Sequence, residues 1–316
     1  MEYGDKHILV LGAGASGIGA SWVLAQVGAH VVLNDYKPVT LPATEEGRLV
    51  SAGVEIITGR QDESLLDGVD RIVISPGISL DIPIVKAAQA RGIDVVSEVE
   101  LAYEVSKSPI VAVTGTNGKT TTTTLLTKVL EGSGKPVRVG GNIGDSLSEV
   151  AYSMPAGGFL VAELSSYQLE TIKHFRPIGA IMLNITPDHL ARHKTMENYI
   201  AAKERIFENQ LKSDYLVLNI DDPIVADMEH RAPSHILQIS QKQSVENGAY
   251  YANGQCYVVK DGVEIAVIGD EDIHIPGSHN IENILTVIAL TYALGVPVVE
   301  IHRIISEFHG VEHRLE

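Results

Sequence analysis

Apolar and polar positions along the chain follow a repeating order: a short aliphatic run, a glycine-rich or polar turn, then a stretch with helical spacing. His7-Ile8-Leu9-Val10-Leu11 is the first run, and it leads into Gly12-Ala13-Gly14-Ala15-Ser16-Gly17 and a helical stretch to about residue 27. Ala29-His30-Val31-Val32-Leu33 predicts a second strand ending at Asn34-Asp35, and further runs lie at residues 54–57, 71–74 and 95–96. Strands alternating with helical stretches predict βαβ units and a parallel sheet. The polar segment 103–109, closed by Pro109, predicts a linker.

The same order resumes beyond it. Residues 110–113 predict a strand, Thr114-Gly115-Thr116-Asn117-Gly118-Lys119-Thr120-Thr121 a turn, and residues 122–130 a helix. Residues 135–139 and 140–144 follow the loop, and strands are expected at 159–162 ending in Glu163, at 180–184 and at 215–219, with helices over 199–207 and 284–294. Residues 250–274 alternate polar and apolar around Asn253-Gly254 and Asp261-Gly262, as a small β-meander does. The expected fold is therefore α/β: a Rossmann-like domain over 1–106, then a P-loop-type ATPase domain over 107–316 with a mostly parallel sheet and the meander.

Composition narrows the function classes. Forty acidic against 24 basic residues give a net charge of -16, which repels nucleic acid and anionic membranes and favours small-molecule partners. One cysteine, Cys256, forms no internal disulfide, and the amino terminus lacks the basic-then-apolar order of a signal peptide. A cytoplasmic protein without membrane or nucleic-acid partners is expected, and a monomer.

Two turns carry candidate chemistry. At the 114–121 turn, strand, glycines and helix start bring backbone N–H groups and the positive end of a helix dipole to one point, which suits a polyphosphate. Lys119 can reach the terminal phosphates and the Thr120 hydroxyl can hold Mg²⁺. The loop is a short variant, with only Thr116 and Asn117 between Gly115 and Gly118 where the common pattern has four residues. Glu163, closing a strand, is placed to hold Mg²⁺. The G-x-G-x-x-G turn at Gly12 followed by Asp35 describes a unit that binds a nucleotide diphosphate, and Ser75-Pro76-Gly77 sits at a strand end where open sheets bind ligands. His189 follows another strand end. Lys203, by spacing alone, reads as a solvated helical lysine.

Together the Ser75-Pro76-Gly77 turn, the 114–120 loop with Asn117, Gly140-Gly141-Asn142-Ile143-Gly144, and Glu163-Leu164-Ser165-Ser166-Tyr167-Gln168-Leu169-Glu170 resemble the Mur ligases over essentially the whole chain. These are ATP-dependent amide-forming ligases of peptidoglycan precursor synthesis. The likeness is greatest to the branch that joins D-glutamate to UDP-N-acetylmuramoyl-L-alanine through an acyl phosphate.

The resemblance implies ATP contacts at Gly115, Thr116, Asn117, Gly118, Lys119, Thr120, Thr121, Asn280, Asn283 and Arg314. It implies Mg²⁺ at Thr120 and Glu163, and at His189 with Lys203 as a carbamate; Lys119, Glu163, His189 and Lys203 form the catalytic set. UDP-sugar contacts are implied at Gly14, Ala15, Ser16, Asp35, Ser75, Pro76, Gly77, Asn142, Ser165 and Gln168, with Tyr36-Lys37 standing where related enzymes carry a different uracil-contacting pair. Family members also carry a third, C-terminal domain for the amino acid, so the expectation is a two-domain, weakly active or inactive fragment. Two other readings stand beside this one: a non-catalytic UDP-sugar or nucleotide-binding module, and a nicotinamide-dependent dehydrogenase built on residues 12–35.

Overall fold

A computed structural model describes residues 3–311, and Arg314 lies outside them. The elements, in chain order, are β1 (His7–Leu11), α1 (Ala15–Gln26), β2 (His30–Asp35), α2 (Ala43–Ser51), β3 (Glu55–Thr58), β4 (Arg71–Ile74), α3 (Pro83–Ala90), β5 (Asp94–Ser97) and α4 (Glu98–Val105). They continue with β6 (Ile110–Thr114), α5 (Lys119–Glu131), β7 (Val137–Gly141), α6 (Leu147–Ser153), β8 (Phe159–Glu163), α7 (Ser166–Leu169), β9 (Gly179–Met182), α8 (Leu190–His193) and α9 (Met196–Glu204). The last are β10 (Tyr215–Asn219), α10 (Pro223–Asp227), β11 (His235–Ser240), β12 (Gly248–Ala252), β13 (Gln255–Lys260), β14 (Val263–Gly269), α11 (Ser278–Ala293) and α12 (Val298–Ser306).

Two compact units result. One comprises residues up to 107 together with 144–154 and 166–175; the other comprises 108–143, 155–165 and the chain from 176 onward. The predicted linker is shorter than its polar composition indicated, because residues 103–105 complete α4. Burial of Val99, Leu101 and Ala102 holds that helix to its end, and Pro109 restricts only the residue before it.

In the first unit the sheet order is β3-β2-β1-β4-β5, all parallel. Successive strand residues face opposite sides, so Ile8 and Val10 pack with Val23, Leu24 and Leu49, while Leu9 and Leu11 pack with Ile84 and Val85. Helices cover both faces, which is why these strands read as unbroken apolar runs rather than alternating ones. Each fully buried aliphatic side chain contributes about 1.5–3 kcal/mol.

The second unit is built on a nine-stranded sheet, β14-β13-β12-β11-β10-β9-β6-β8-β7. It is parallel from β7 to β12, and β12, β13 and β14 form the antiparallel meander. The meander turns have positive φ at Asn253, Gly254, Asp261 and Gly262, the conformation that Asn-Gly and Asp-Gly hairpin turns adopt. Strand β6 lies where the winding reverses, with β8 and β7 on one side and β9 and β10 on the other. Such a switch point opens a crevice at the carboxyl ends of the strands, and the 114–121 turn leaves β6 there.

Candidate active site

The phosphate loop begins at Thr114, the last residue of β6, and ends where α5 opens at Lys119. Gly118 precedes the helix with φ 84°, and a β-carbon there would sit 2.6 Å from Asn283 Oδ1, so glycine permits both the turn and the approach of α11. Asn283 in turn donates to Asn280 Oδ1 (3.1 Å), which brings both predicted nucleotide contacts to the loop. The Lys119 ammonium folds over the loop and donates to the carbonyls of Thr116 (2.8 Å) and Gly115 (3.2 Å). Not every loop N–H faces the hollow: those of Thr116 and Asn117 are bonded to Asn184.

Glu163 ends β8 directly opposite Val113 of β6 and is 1% exposed. Its Oε1 accepts from Asn142 Nδ2 (2.9 Å), while Oε2 is buried without a partner among the described residues. An uncompensated buried carboxylate oxygen is costly unless a cation meets it, so this site fits a divalent metal. The described residues contain no group of three or more His, Cys, Asp or Glu arranged to hold one. A Mg²⁺ here would draw further ligands from the Thr120 hydroxyl and from phosphate oxygens, as this ion commonly does.

Lys203 is not the solvated lysine that its spacing suggests. It is 2% exposed, donates to Gly115 O (2.7 Å) and Thr114 Oγ1 (3.4 Å), and lies 4.9 Å from the centre of the Tyr199 ring. Burial, reinforced by the Lys119 charge and opposed by Asp188, pushes its pKa down to about 7. His189 sits at the start of α8 with φ 54°, its N–H bonded to Asp188 Oδ1 (2.7 Å) and its ring edge-on to Tyr199 at 6.4 Å.

Sequence reasoning missed Tyr199, which joins these pieces. It is 1% exposed, its hydroxyl is 3.0 Å from Thr116 Oγ1, and its ring touches Lys203 and lies beside His189. A signal was present, because Tyr199 precedes Lys203 by four residues and so shares its helix face.

In the first unit the glycine turn joins β1 to α1, and Ser75 at the end of β4 donates to Gly12 O (3.3 Å). Asp35 at the end of β2 accepts from Ala13 N (2.9 Å) and Lys37 N (2.9 Å), so its carboxylate braces the turn. Gly14, Ala15, Ser16, Asp35, Ser75, Pro76 and Gly77 therefore line the strand ends of one sheet. Tyr36 is 68% exposed beside them, and the buried Gln168 belongs to the same unit. Asn142 and Ser165 belong to the second unit.

Comparison with known proteins gives two family matches: a Mur ligase middle domain over residues 113–291 and a MurD-like N-terminal domain of Mur ligases over residues 6–97. The chain is 45% identical over 316 residues to the UDP-N-acetylmuramoylalanine--D-glutamate ligase of Caldanaerobacter subterraneus subsp. tengcongensis, covering all of this chain and 69% of that protein. The enzyme of the same name from Halalkalibacterium halodurans is 43% identical over 315 residues, again 100% of this chain and 69% of the relative. Among solved structures, a UDP-N-acetylmuramate:L-alanyl-gamma-D-glutamyl-meso-diaminopimelate ligase from Neisseria meningitides superposes with a TM-score of 0.65 at 22% identity. That match covers 98% of this chain and 99% of the other. The UDP-N-acetylmuramate-alanine ligase of Thermotoga maritima gives 0.53 at 24% identity, over 97% of this chain and 69% of that one. At these identities the two structures speak for the fold alone.

Proposed function

Because the chain belongs to the Mur ligase family, we propose that it is an ATP-dependent ligase of peptidoglycan precursor synthesis that joins D-glutamate to UDP-N-acetylmuramoyl-L-alanine. The observation that carries the reading at the site is the convergence of two buried ionisable side chains, Glu163 and Lys203, on the strand that feeds the phosphate loop. The first unit takes the UDP-sugar through the glycine turn, Ser75 and its neighbours. The second takes ATP through the loop at 115–121, whose phosphate contacts come from Lys119 and the start of α5, with Asn280 and Asn283 beside it. The two units take these roles, the first including residues 144–154 and 166–175 as well as those up to 107, and the cytoplasm is the compartment proposed. No helix of the described residues is long and apolar enough to cross a membrane.

A carboxylate does not react with an amine, because its oxygen is a poor leaving group. Transfer of the γ-phosphoryl group of ATP to the L-alanyl carboxylate forms an acyl phosphate and releases ADP. The amine of D-glutamate then attacks the acyl carbon, phosphate leaves with the C–O bond pair, and the amine loses a proton. When bound, Mg²⁺ would neutralise phosphate charge; Thr120 and Glu163 would hold one ion, and His189 with the Lys203 carbamate a second. Lys119 adds a positive charge at the terminal phosphates, and the start of α5 adds its dipole. Lys203 becomes a carbamate when its neutral amine attacks CO₂ and loses a proton, which puts a buried anion where a buried neutral amine stood.

Calorimetric titration with UDP-N-acetylmuramoyl-L-alanine tests the assignment, with UDP-N-acetylglucosamine and NAD as controls and Mg²⁺ with a non-hydrolysable ATP analogue present or absent. Selective binding of the muramoyl-alanine compound is expected. Binding of the ATP analogue alone would remove the substrate assignment, and binding of NAD would return the dehydrogenase reading. The chain spans about 70% of its relatives' length.

A further inference from the structure

The phosphate loop is two residues shorter than the common form, yet it holds an ordered turn. What closes it comes from the segment that follows β9. Thr116 N–H donates to Asn184 O (2.9 Å), Asn117 N–H donates to Asn184 Oδ1 (2.8 Å), and Asn184 Nδ2 donates back to Asn117 O (3.1 Å). Two residues on, Thr186 N–H donates to Thr116 Oγ1 (3.0 Å), and that hydroxyl lies 3.2 Å from Thr186 O. The loop is pressed against this segment so closely that a β-carbon at Gly115 would meet Leu183 Cβ at 2.8 Å.

We infer that Asn184 is a positioning residue that stands in for the missing loop residues by clamping both the N–H and the C=O of Asn117. An asparagine amide carries one acceptor and one donor in fixed geometry, the same pair that a strand backbone presents. The clamp takes the N–H groups of Thr116 and Asn117 out of anion binding and leaves the phosphates to the amino end of α5 and Lys119. It also seats the loop before nucleotide arrives, so its ordering cost is not charged against affinity. The inference rests on the nucleotide reading of this loop.

Two measurements on the full chain test it, one of which needs no ligand. In N184A, hydrogen exchange at the Asn117 amide is expected to rise about tenfold or more, with the amides of β8 and β10 unchanged, as loss of about 1–2 kcal/mol of hydrogen bonding implies. Affinity for Mg·ADP falls about tenfold over the same energy range, while UDP-sugar affinity holds. N184D keeps an acceptor for the Asn117 N–H, so protection is retained, but it loses the donor and places a negative charge beside the phosphates, so ADP binding weakens. Unchanged exchange at Asn117 in N184A, or loss of its protection in N184D, overturns the clamp. Equal Mg·ADP affinity in wild type and N184A overturns its role in nucleotide binding. If wild type binds no Mg·ADP, or binding survives K119A, the nucleotide reading fails instead, and the exchange data still decide whether the clamp exists.

Discussion

Replacing Glu98 separates the hydrogen-bonding role of a buried carboxyl from its charge. Glu98 is the first residue of α4 and is 1% exposed. Its Oε1 accepts from the Ser146 hydroxyl and from Ser148 N (2.9 Å) and Ser148 Oγ (2.9 Å), while Oε2 has no partner among the described residues. Burial pushes its pKa above the ordinary glutamate value, outweighing the serine hydrogen bonds that pull it down. The native state therefore holds a proton that the unfolded chain releases above about pH 4.3. The stabilising contribution is complete below that value and is lost as pH rises through the raised folded pKa.

Glu98→Ala takes the acceptor from two serine hydroxyls and one backbone N–H and opens a cavity, which costs about 2–4 kcal/mol. Glu98→Gln keeps the acceptor oxygen and resembles the protonated acid, so it is expected to cost little at pH 5 and to gain on wild type toward pH 8. The single tryptophan, Trp22 on α1, meets Tyr152 of α6 edge-on at 5.7 Å, and its fluorescence reports this junction. Urea titrations followed by Trp22 at pH 5, 6.5 and 8 supply the comparison, and with slopes of about 1–3 kcal/mol/M the alanine variant shifts the midpoint by about 1 M or more. The reasoning is refuted if the difference between wild type and Glu98→Gln is the same at all three pH values, or if the glutamine variant unfolds as early as the alanine one.

Other outcomes follow from the second unit. With a pKa of about 7, roughly 90% of Lys203 is neutral at pH 8, against less than about 1% of an exposed lysine. Labelled bicarbonate is therefore expected to give one dominant carbamate ¹³C resonance, absent in K203M, and label spread over many lysines would contradict this. Gly141 has φ 111°, and an added β-carbon runs into Glu163 O, so Gly141→Ala is expected to cost about 2–4 kcal/mol in thermal unfolding; an unchanged midpoint would count against that geometry. Tyr199→Phe removes the contact with Thr116 Oγ1 and keeps the packing, so Mg·ADP affinity is expected to fall a few-fold without loss of fold, and an unaltered affinity would free Tyr199 of that role.

How much of this was legible in the sequence depended on distance along the chain. The βαβ units, the glycine turn at Gly12, the loop at 114–121 and the Asn-Gly and Asp-Gly hairpins are each written within about 20 consecutive residues, because turn chemistry and periodicity are local. Glu163 was legible for the same reason, as an acid closing an apolar strand. Lys203 was not, because α9 has no clean apolar stripe, and a lysine on such a helix is ordinarily solvated. Its burial is decided by Thr114 and Gly115, which lie 89 and 88 positions away in the chain.

The same limit hid the supports of the site. Asn184 reads as an ordinary strand end until the loop 67 positions earlier is seen to lean on it. Residues 144–154 and 166–175 follow the phosphate loop in sequence but pack with the first unit, where Glu98 reaches Ser148 across 50 positions and Glu100 accepts the N–H groups of Lys173, His174 and Phe175. A boundary drawn from polar composition finds only the crossing near residue 107, because the later excursions carry no loss of hydrophobic pattern. Glu163 and the phosphate loop sit at the ends of strands, and strands announce themselves in sequence. The groups that hold them in place are chosen by tertiary proximity, which only the folded chain expresses.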